Sequence, residues 1–211
     1  MPRMWIWISG WAICPDRFSS EVQSVLPNDL HQVLAPTQEA LEKVLASDAD
    51  CIGGYSLGSL ILLSALGQFK EVTNITCLAP FIAFCKEAQL GGTTPRKVLR
   101  GLQQRLVKQP EKTIKLFYRL AGLNDEPTGR LPYPIEHLEW GLKQLATLEA
   151  EMILPNRVQA IAGSMDPLMD KREMSSKWPA CHFIDDCDHN YRKLLSVLSI
   201  LGPIKNPLSP Q

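Results

Sequence analysis

Gly53-Gly54-Tyr55-Ser56-Leu57-Gly58-Ser59 is the stretch that decides the fold of this 211-residue chain. Residues 49–52 before it have a strand pattern, and the apolar residues 57–66 after it are spaced as in a helix. A serine on such a strand-to-helix turn projects its hydroxyl from the carboxyl end of the strand, beside helix N–H groups that stabilise developing negative charge. Glycine is needed on both sides because the turn is too tight for side chains. The stretch therefore predicts Ser56 as a nucleophile.

The segments around this turn alternate between strand and helix patterns. Strands are predicted at residues 4–9, 31–35, 72–78, 158–163 and 182–185. Helices are predicted between them at residues 15–25, 38–46, 170–177 and 191–201. Regular alternation implies right-handed crossovers and a parallel sheet. The predicted fold class is α/β, an abbreviated and mostly parallel sheet flanked by helices.

Residues 81–155 break this rhythm. They show helical patterns interrupted by Gly91-Gly92, Pro110, Gly122 and residues 127–134, and they contain no strand pattern. We predict a helical lid at residues 81–155, inserted before the last two strands and lying over the carboxyl edge of the sheet. Residues 1–80 and 156–211 would form the core. The alternative is a helical surface layer without function.

Composition narrows the range of partners. Lys plus Arg and Asp plus Glu both number 22, so no global charge points to nucleic acid. The six cysteines show neither Cys-x-x-Cys pairs nor paired spacings with histidine, so we expect no metal and no cofactor. The apolar run at residues 5–8 is too short for a secretion signal, and no run reaches membrane-spanning length. We therefore expect a cytoplasmic protein without a membrane partner, and the oligomeric state stays open.

A nucleophilic serine needs a general base and a group that orients the base. Of the four histidines, His189 directly follows a predicted strand, at the sheet edge where loops carry catalytic groups. The predicted acid is Asp166, which follows the strand at residues 158–163, with Asp170 as the substitute. The chain order Ser56, Asp166, His189 is that of acyl hydrolases built on such a sheet. The alternative for His189 is a solvated loop residue.

Two backbone donors are needed to bind the oxyanion of an acyl-transfer intermediate. The amide of Leu57, next to the serine, is the first predicted donor. The second is the amide of Trp11, in the loop that follows the first strand. Gly10 permits close backbone approach there, and the Trp11 indole could wall the pocket. The alternative for the indole is a core aromatic ring.

These residues resemble the α/β-hydrolase superfamily, and within it the chain is similar to the pimeloyl-acyl carrier protein methyl ester esterases of biotin synthesis. The cues are Ile8-Ser9-Gly10-Trp11-Ala12, where those enzymes carry a His-Gly-Trp-Gly-like loop, the Gly54-Tyr55-Ser56-Leu57-Gly58 motif, and lid residues 95–104, 113–117 and 136–149. The likeness covers residues 4–201. The chain departs from these enzymes at Ser9, which replaces a histidine, and in its shortened N-terminus, which implies a smaller sheet.

The resemblance implies a serine carboxylesterase whose substrate is the methyl ester of pimeloyl-acyl carrier protein. It also implies substrate contacts at Trp11 and in the lid run Phe117, Tyr118, Arg119, Leu120 and Ala121. Because a fold does not fix a substrate, a general short-chain carboxylesterase, an acyl thioesterase and a lyase that reuses the triad as a base stay open. A non-catalytic binding module with this fold is a further alternative.

The lid also concentrates positive charge. Between residues 96 and 119 there are eight Lys and Arg residues against a single acidic one, Glu111. A basic surface attracts acidic or phosphorylated partners, and the resemblance implies an acyl carrier protein as that partner. The predicted carrier-protein patch comprises Arg96, Lys97, Arg100, Arg105, Lys108, Lys112 and Lys115. The alternative is an amphipathic lid whose charged face is only solvated.

Overall fold

The computed structural model describes residues 2–70, 74–123, 130–151 and 157–202. Within these residues a six-stranded sheet has the order β2-β1-β3-β4-β5-β6, and every neighbouring pair of strands is parallel. The strands are β1 (Met4–Ile8), β2 (Leu30–Leu34), β3 (Cys51–Tyr55), β4 (Asn74–Leu78), β5 (Val158–Gly163) and β6 (His182–Ile184). The predicted α/β fold with a mostly parallel sheet is confirmed.

Helices cover the sheet on both faces. Side chains alternate between the two faces along a strand, and Trp7 and Ile8 of β1 are both fully buried. The helices are α1 (Pro15–Val25), α2 (Ala40–Leu45), α3 (Leu57–Leu63), α4 (Arg96–Leu106), α5 (Pro110–Leu120), α6 (Ile135–Thr147), α7 (Lys171–Lys177) and α8 (Tyr191–Leu201). Helix α1 packs against α8, and α3 packs against β1, β3 and β4.

Several predicted elements differ by one to three residues at an end from those in the structure. The helix after Ser56 ends at Leu63 rather than at residue 66, and a 3₁₀ turn follows at Leu66–Gln68. Ser64 contributes to this ending because its hydroxyl donates to Ile61 O at 2.9 Å, a bond that competes with regular helix geometry. The strand predicted at residues 72–78 is observed from Asn74, and residues 71–73 lie outside the described part of the chain.

The segment predicted to be a lid, called the lid below, lies between β4 and β5 in the chain and is described over residues 81–123 and 130–151. Its helix α4 packs against α5 and α6, and α6 also packs against α3, which begins at the predicted nucleophile turn. Pro110 starts α5, a position where the missing proline N–H is not needed. The predicted boundary at residues 155 and 156 falls outside the described residues.

No helix in the described ranges is long and apolar enough to cross a bilayer. The six cysteines are all described and carry free thiols. Burial raises the pKa of the Cys51 thiol to about 11 and that of Cys181 to about 12. These two thiols therefore stay protonated at neutral pH and pack as small apolar groups. Nowhere in the described chain do three or more His, Cys, Asp or Glu side chains group as a metal site would require.

Candidate active site

Ser56 occupies a strained turn between β3 and α3. Its backbone lies at φ 54° and ψ −112°, outside the favoured regions, at a cost of roughly 1–3 kcal/mol. The turn is held by the Ser56 N–H, which donates to Leu78 O on β4 at 2.9 Å. At the flanking Gly58 an added Cβ would lie 2.0 Å from Ile8 O on β1. Glycine is therefore required there because the backbone of β1 occupies the space.

The structure brings Ser56, His189 and Asp166 into one hydrogen-bonded chain. His189 Nε2 lies 3.0 Å from Ser56 Oγ, and His189 Nδ1 lies 2.6 Å from Asp166 Oδ2. The second carboxylate oxygen, Asp166 Oδ1, accepts the backbone N–H of Leu168 at 2.9 Å. A carboxylate on Nδ1 favours the tautomer whose Nε2 can accept the serine proton.

Asp166 and His189 lie on loops that follow the neighbouring strands β5 and β6. A backbone bond of 2.8 Å from Met165 N to Cys187 O ties the two loops together. Gly163, the last residue of β5, allows this contact, because an added Cβ would lie 2.3 Å from Cys187 O. Parallel strands end at the same edge of a sheet, so the topology places both side chains beside the turn that carries the serine.

Aromatic side chains enclose the imidazole. The Tyr55 hydroxyl donates to His189 O at 2.7 Å, and the Phe81 ring centre lies 5.9 Å from the imidazole centre. Ser56, Asp166 and His189 are 2%, 4% and 1% exposed, respectively. Charges interact more strongly in such a dry environment than in water. The burial of His189 also rules out its alternative reading as a solvated loop residue.

The other candidate acids and bases have different partners. Asp170, the predicted substitute acid, caps α7 by accepting the backbone N–H of Glu173 at 2.9 Å. His31 Nε2 lies 2.9 Å from Leu26 O, and His182 is exposed at the start of β6. None of these three side chains takes part in the hydrogen-bonded chain described above.

The loop after β1, residues 9–13, lies against the serine. Gly10 permits this close approach, because an added Cβ would lie 2.7 Å from the Tyr55 ring and 3.3 Å from Ser56 Cβ. The next residue, Trp11, is 1% exposed, and its ring centre lies 4.6 Å from that of Phe117 in the lid. The indole is thus a core aromatic ring as well as a neighbour of the site. Leu57 is the first residue of α3, where a backbone N–H has no partner inside the helix.

Three lid groups bond this loop. Trp11 Nε1 donates to Leu138 O at 2.8 Å, Ala12 N donates to the Tyr133 hydroxyl oxygen at 2.6 Å, and the Tyr118 hydroxyl donates to Ala12 O at 2.6 Å. Ala12 has a φ of 60°, a left-handed conformation that costs an L-residue roughly 1–2 kcal/mol. The geometry of the loop is therefore set by the lid as well as by its own sequence.

The predicted run of substrate contacts is divided by the turn of α5. Phe117 packs on Trp11, Tyr118 bonds the β1 loop, and Ala121 is fully buried. Arg119 is exposed, and Leu120 is 37% exposed. Because an α-helix turns by about 100° per residue, five consecutive residues cannot all face one site. Arg119 and Leu120 lie on the solvent side of α5, and the run as a set of substrate contacts stays a prediction.

The cations of the predicted carrier-protein patch have different surroundings. Arg96 and Arg100, one turn apart on α4, line a groove of about 370 Å³ whose other lining residues are Leu99, Gln103, Ala146 and Thr147. Of the remaining predicted cations, Lys115 is half-buried and four are exposed outside the groove lining, namely Lys97, Arg105, Lys108 and Lys112. The carrier-protein patch as a whole stays a prediction, and Arg96 and Arg100 are its two cations that line this groove.

No family model matches this chain, and no curated protein matches it. Solved structures of the same fold do. An esterase from Exiguobacterium antarcticum has a TM-score of 0.71 and 10% identity, over 95% of this chain and 91% of that one. A putative lipase from Acinetobacter baumannii has a TM-score of 0.61 and 13% identity, over 95% and 82% of the two chains. The bottromycin epimerase BotH, in complex with bottromycin A2, has a TM-score of 0.62 and 12% identity, over 95% and 91%. The chain has the α/β-hydrolase fold.

Sequence reasoning missed the residues that hydrogen-bond to the backbone of His189 and to the β1 loop. Tyr55 lies inside the nucleophile motif, so its position beside Ser56 was a signal that could have identified it. Tyr133 and Leu138 reach the β1 loop from 121 and 127 residues away, respectively. No local pattern marks them, because their role depends on how the lid packs on the loop.

Proposed function

We propose that this protein is a serine hydrolase that cleaves carboxylic esters. The observation that carries the proposal is the buried chain from Ser56 Oγ through His189 to Asp166 Oδ2, with distances of 3.0 and 2.6 Å. The strained backbone of Ser56 at the carboxyl edge of the sheet supports the same role, because strain of this kind clusters at active sites. The esterase and lipase among the structural neighbours are consistent with it.

The proposed reaction has two stages. Ser56 Oγ attacks the ester carbonyl carbon while His189 Nε2 takes the hydroxyl proton, and the Trp11 and Leu57 amides bind the oxyanion. His189 then gives this proton to the leaving alcohol oxygen as the ester bond breaks, which leaves an acyl group on Ser56. A water molecule, deprotonated by His189, attacks the acyl carbon and releases the acid, and the proton returns to Ser56. Asp166 stabilises the imidazolium in both stages.

Hydrolysis of p-nitrophenyl acetate by the Ser56→Ala variant tests the nucleophile. Loss of the nucleophile from such a triad lowers kcat by a factor on the order of 10⁶. Ser64→Ala is the matched control, because Ser64 is half-buried at the end of α3 and its hydroxyl bonds only the helix backbone in the contacts seen here. Undiminished hydrolysis by Ser56→Ala, or a fluorophosphonate probe that labels another residue, would refute the assignment.

The finer proposal is that the ester is the methyl ester of pimeloyl-acyl carrier protein, as the resemblance implies. The aromatic walls of the site support an apolar acyl chain: Trp11 packs on Phe117, and Phe84 packs on both Phe81 and Phe117. Because Ser56 is 2% exposed, side chains over the site must move aside before a substrate can enter. The groove with Arg96 and Arg100 would bind acidic groups of the carrier protein.

Charge reversal tests this docking surface. Arg96→Glu combined with Arg100→Glu should raise KM for the carrier-bound ester and leave p-nitrophenyl acetate hydrolysis unchanged, because only the first substrate reaches the groove. Arg105→Glu combined with Lys108→Glu is the matched control, since it makes the same charge change outside the groove lining. Equal effects of the two pairs would reject the groove and leave only a general charge effect.

A thioesterase or a general short-chain esterase would use the same triad. Mass spectrometry of the reaction with methyl pimeloyl-carrier protein separates these functions, since a methyl esterase removes one methyl group and a thioesterase releases the whole acyl chain. The epimerase among the structural neighbours shows that this fold also serves non-hydrolytic chemistry. Absence of any hydrolysis in this assay and with p-nitrophenyl acetate would favour such a role or a binding module.

A further inference from the structure

The lid bonds both polar groups of one residue in the β1 loop. Ala12 N donates to Tyr133 and Ala12 O accepts from Tyr118, each at 2.6 Å. The preceding residue is fixed separately, through the bond of Trp11 Nε1 to Leu138 O at 2.8 Å. Three hydrogen bonds from the lid therefore act on two consecutive residues, beside the serine.

These bonds fix the backbone on the carboxyl side of Trp11. A peptide unit is planar, so a bond to Ala12 N sets the plane that joins Trp11 to Ala12. The anchored indole sets the position of the Trp11 side chain. At Gly10, the residue before it, an added Cβ would lie 2.7 Å from the Tyr55 ring and 3.3 Å from Ser56 Cβ. The Trp11 N–H belongs to the same planar peptide unit as Gly10 O, and Gly10 O accepts the backbone N–H of Ile13 at 3.1 Å. Ala12 lies inside this turn, so bonds that hold Ala12 also limit rotation of the peptide unit that carries the Trp11 N–H.

The left-handed backbone of Ala12 requires such support. Its φ of 60° is unfavourable for a residue with a Cβ. Conformations of this kind persist only where the surroundings over-determine them. The two tyrosines are 7% and 8% exposed, and burial raises the pKa of the Tyr133 hydroxyl. The hydroxyl of Tyr133 therefore stays neutral across the ordinary pH range.

We propose that Tyr118 and Tyr133 are positioning residues that hold Ala12 so that the Trp11 amide faces the oxyanion formed at Ser56. The inference rests on the proposed function and extends it, since it makes the lid a part of the oxyanion site rather than only a cover. Neither tyrosine is assigned contact with the reacting atoms. Their effect passes through Ala12 and the backbone of Trp11.

Tyr133→Phe and Tyr118→Phe test the proposal, because each removes one oxygen atom and keeps the aromatic ring. Hydrolysis of p-nitrophenyl acetate should lose about 10- to 100-fold in kcat with little change in KM, because the oxyanion contact forms in the transition state. Thr113→Val is the matched control: Thr113 is fully buried in the same lid helix as Tyr118, and its hydroxyl donates only to Gln109 O in the contacts seen here.

The inhibition constant Ki of a trifluoromethyl ketone distinguishes a positioning role from a merely structural one, which would leave Ki unchanged. Ser56 Oγ adds reversibly to its carbonyl carbon, and the carbonyl oxygen becomes an oxyanion in the proposed hole. Its Ki should rise in the two tyrosine variants by about the factor lost in kcat/KM, whereas inhibition by the product acetate should stay the same. Thermal unfolding of each variant identifies any that does not fold. If Tyr133→Phe does not fold, Tyr118→Phe tests the proposal alone, because Tyr118 bonds the carbonyl oxygen of the same residue, Ala12.

The outcomes separate this inference from the proposed function. If Ser56→Ala hydrolyses the ester as fast as the wild type, the proposed function fails. If Ser56→Ala is inactive but either folded tyrosine variant keeps wild-type kcat and Ki, the positioning role is overturned. Equal losses in Thr113→Val would overturn it as well, since they would reflect general damage to the lid.

Discussion

The carboxyl edge of the sheet and the lid meet at Ser56, and they hold their residues by different means. At the sheet edge the backbone itself sets the geometry: Ser56 is strained between two elements, and Gly163 lets the loops of Asp166 and His189 meet. In the lid, side-chain hydroxyls and a backbone carbonyl reach across to the β1 loop. The difference indicates that sheet topology sets the chain of Ser56, His189 and Asp166, whereas the proposed oxyanion donor in the β1 loop depends on the packing of the lid.

After Ser56→Ala, the largest expected effect is also at the sheet edge, in Asp166→Asn. This variant keeps the shape of the side chain but favours the wrong imidazole tautomer, and kcat for ester hydrolysis should fall by about 10⁴. Asp170→Asn makes the same chemical change at the cap of α7 and should leave both kcat and stability nearly unchanged, because asparagine caps a helix as well as aspartate does. Similar losses of kcat in the two variants would mean that the hydrogen bond from His189 to Asp166 is not the cause of the loss.

Gly163→Ala tests whether the backbone of the edge is as tightly set as the contacts indicate. An added Cβ would lie 2.3 Å from Cys187 O and 2.4 Å from Asp188 O, and neither backbone atom can move without displacing the His189 loop. The free energy of unfolding in urea should fall by about 1–3 kcal/mol or more, and ester hydrolysis should fall with it. A variant with wild-type stability would show that the loops tolerate separation.

Two glycines in the lid test how closely the lid packs on the β1 loop. At Gly141 on α6 an added Cβ would lie 2.6 Å from Trp11 Cδ1, whereas at Gly101 on α4 it would meet nothing within 4 Å. Gly101→Ala should stabilise the fold by about 0.5–1 kcal/mol through helix propensity. In Gly141→Ala the clash with Trp11 should cancel this stabilisation. Displacement of Trp11 should also lower kcat. Urea denaturation and ester hydrolysis measure both, and equal behaviour of the pair would argue against close packing of α6 on the β1 loop.

The smallest effect is expected for Ala12→Gly. Relief of the left-handed conformation at φ 60° gains roughly 1 kcal/mol, but loss of a buried methyl group costs about 0.8 kcal/mol. The free energy of unfolding should therefore change by less than about 1 kcal/mol, and kcat should stay near the wild-type value because the lid bonds act on the backbone. A large loss of activity would indicate that the alanine side chain, rather than the lid, fixes the loop.

Local patterns predicted most of the fold, and they selected Ser56, Asp166 and His189, which the structure places in one hydrogen-bonded chain. Strand and helix periods depend on neighbouring residues, and the ends of parallel strands fall at one edge once the crossovers are right-handed. The predicted bounds of α1 and α8 match the structure because Pro15 and Gly202 mark a helix start and stop within the sequence.

The lid was predicted less well because its contacts are non-local. The predicted substrate run, residues 117–121, ignored the helix turn that sends Arg119 and Leu120 to solvent. The predicted cation patch counted charges along the chain, whereas the groove gathers only Arg96 and Arg100 among them. Ser9, where the resembling enzymes have a histidine, donates to Ile13 O at 3.3 Å and so bridges the two ends of the β1 loop, a contact that no pattern indicated.

The sequence by itself determined the alternation of strands and helices, the glycine-flanked serine and the order in which acid and base follow it. These features are encoded by residues that lie close together in the chain, where periodicity and turn chemistry act. Only the tertiary structure decided that Tyr118, Tyr133 and Leu138 hold the loop beside Ser56. Those contacts join segments more than 100 residues apart, and they form only when the lid packs on the finished sheet.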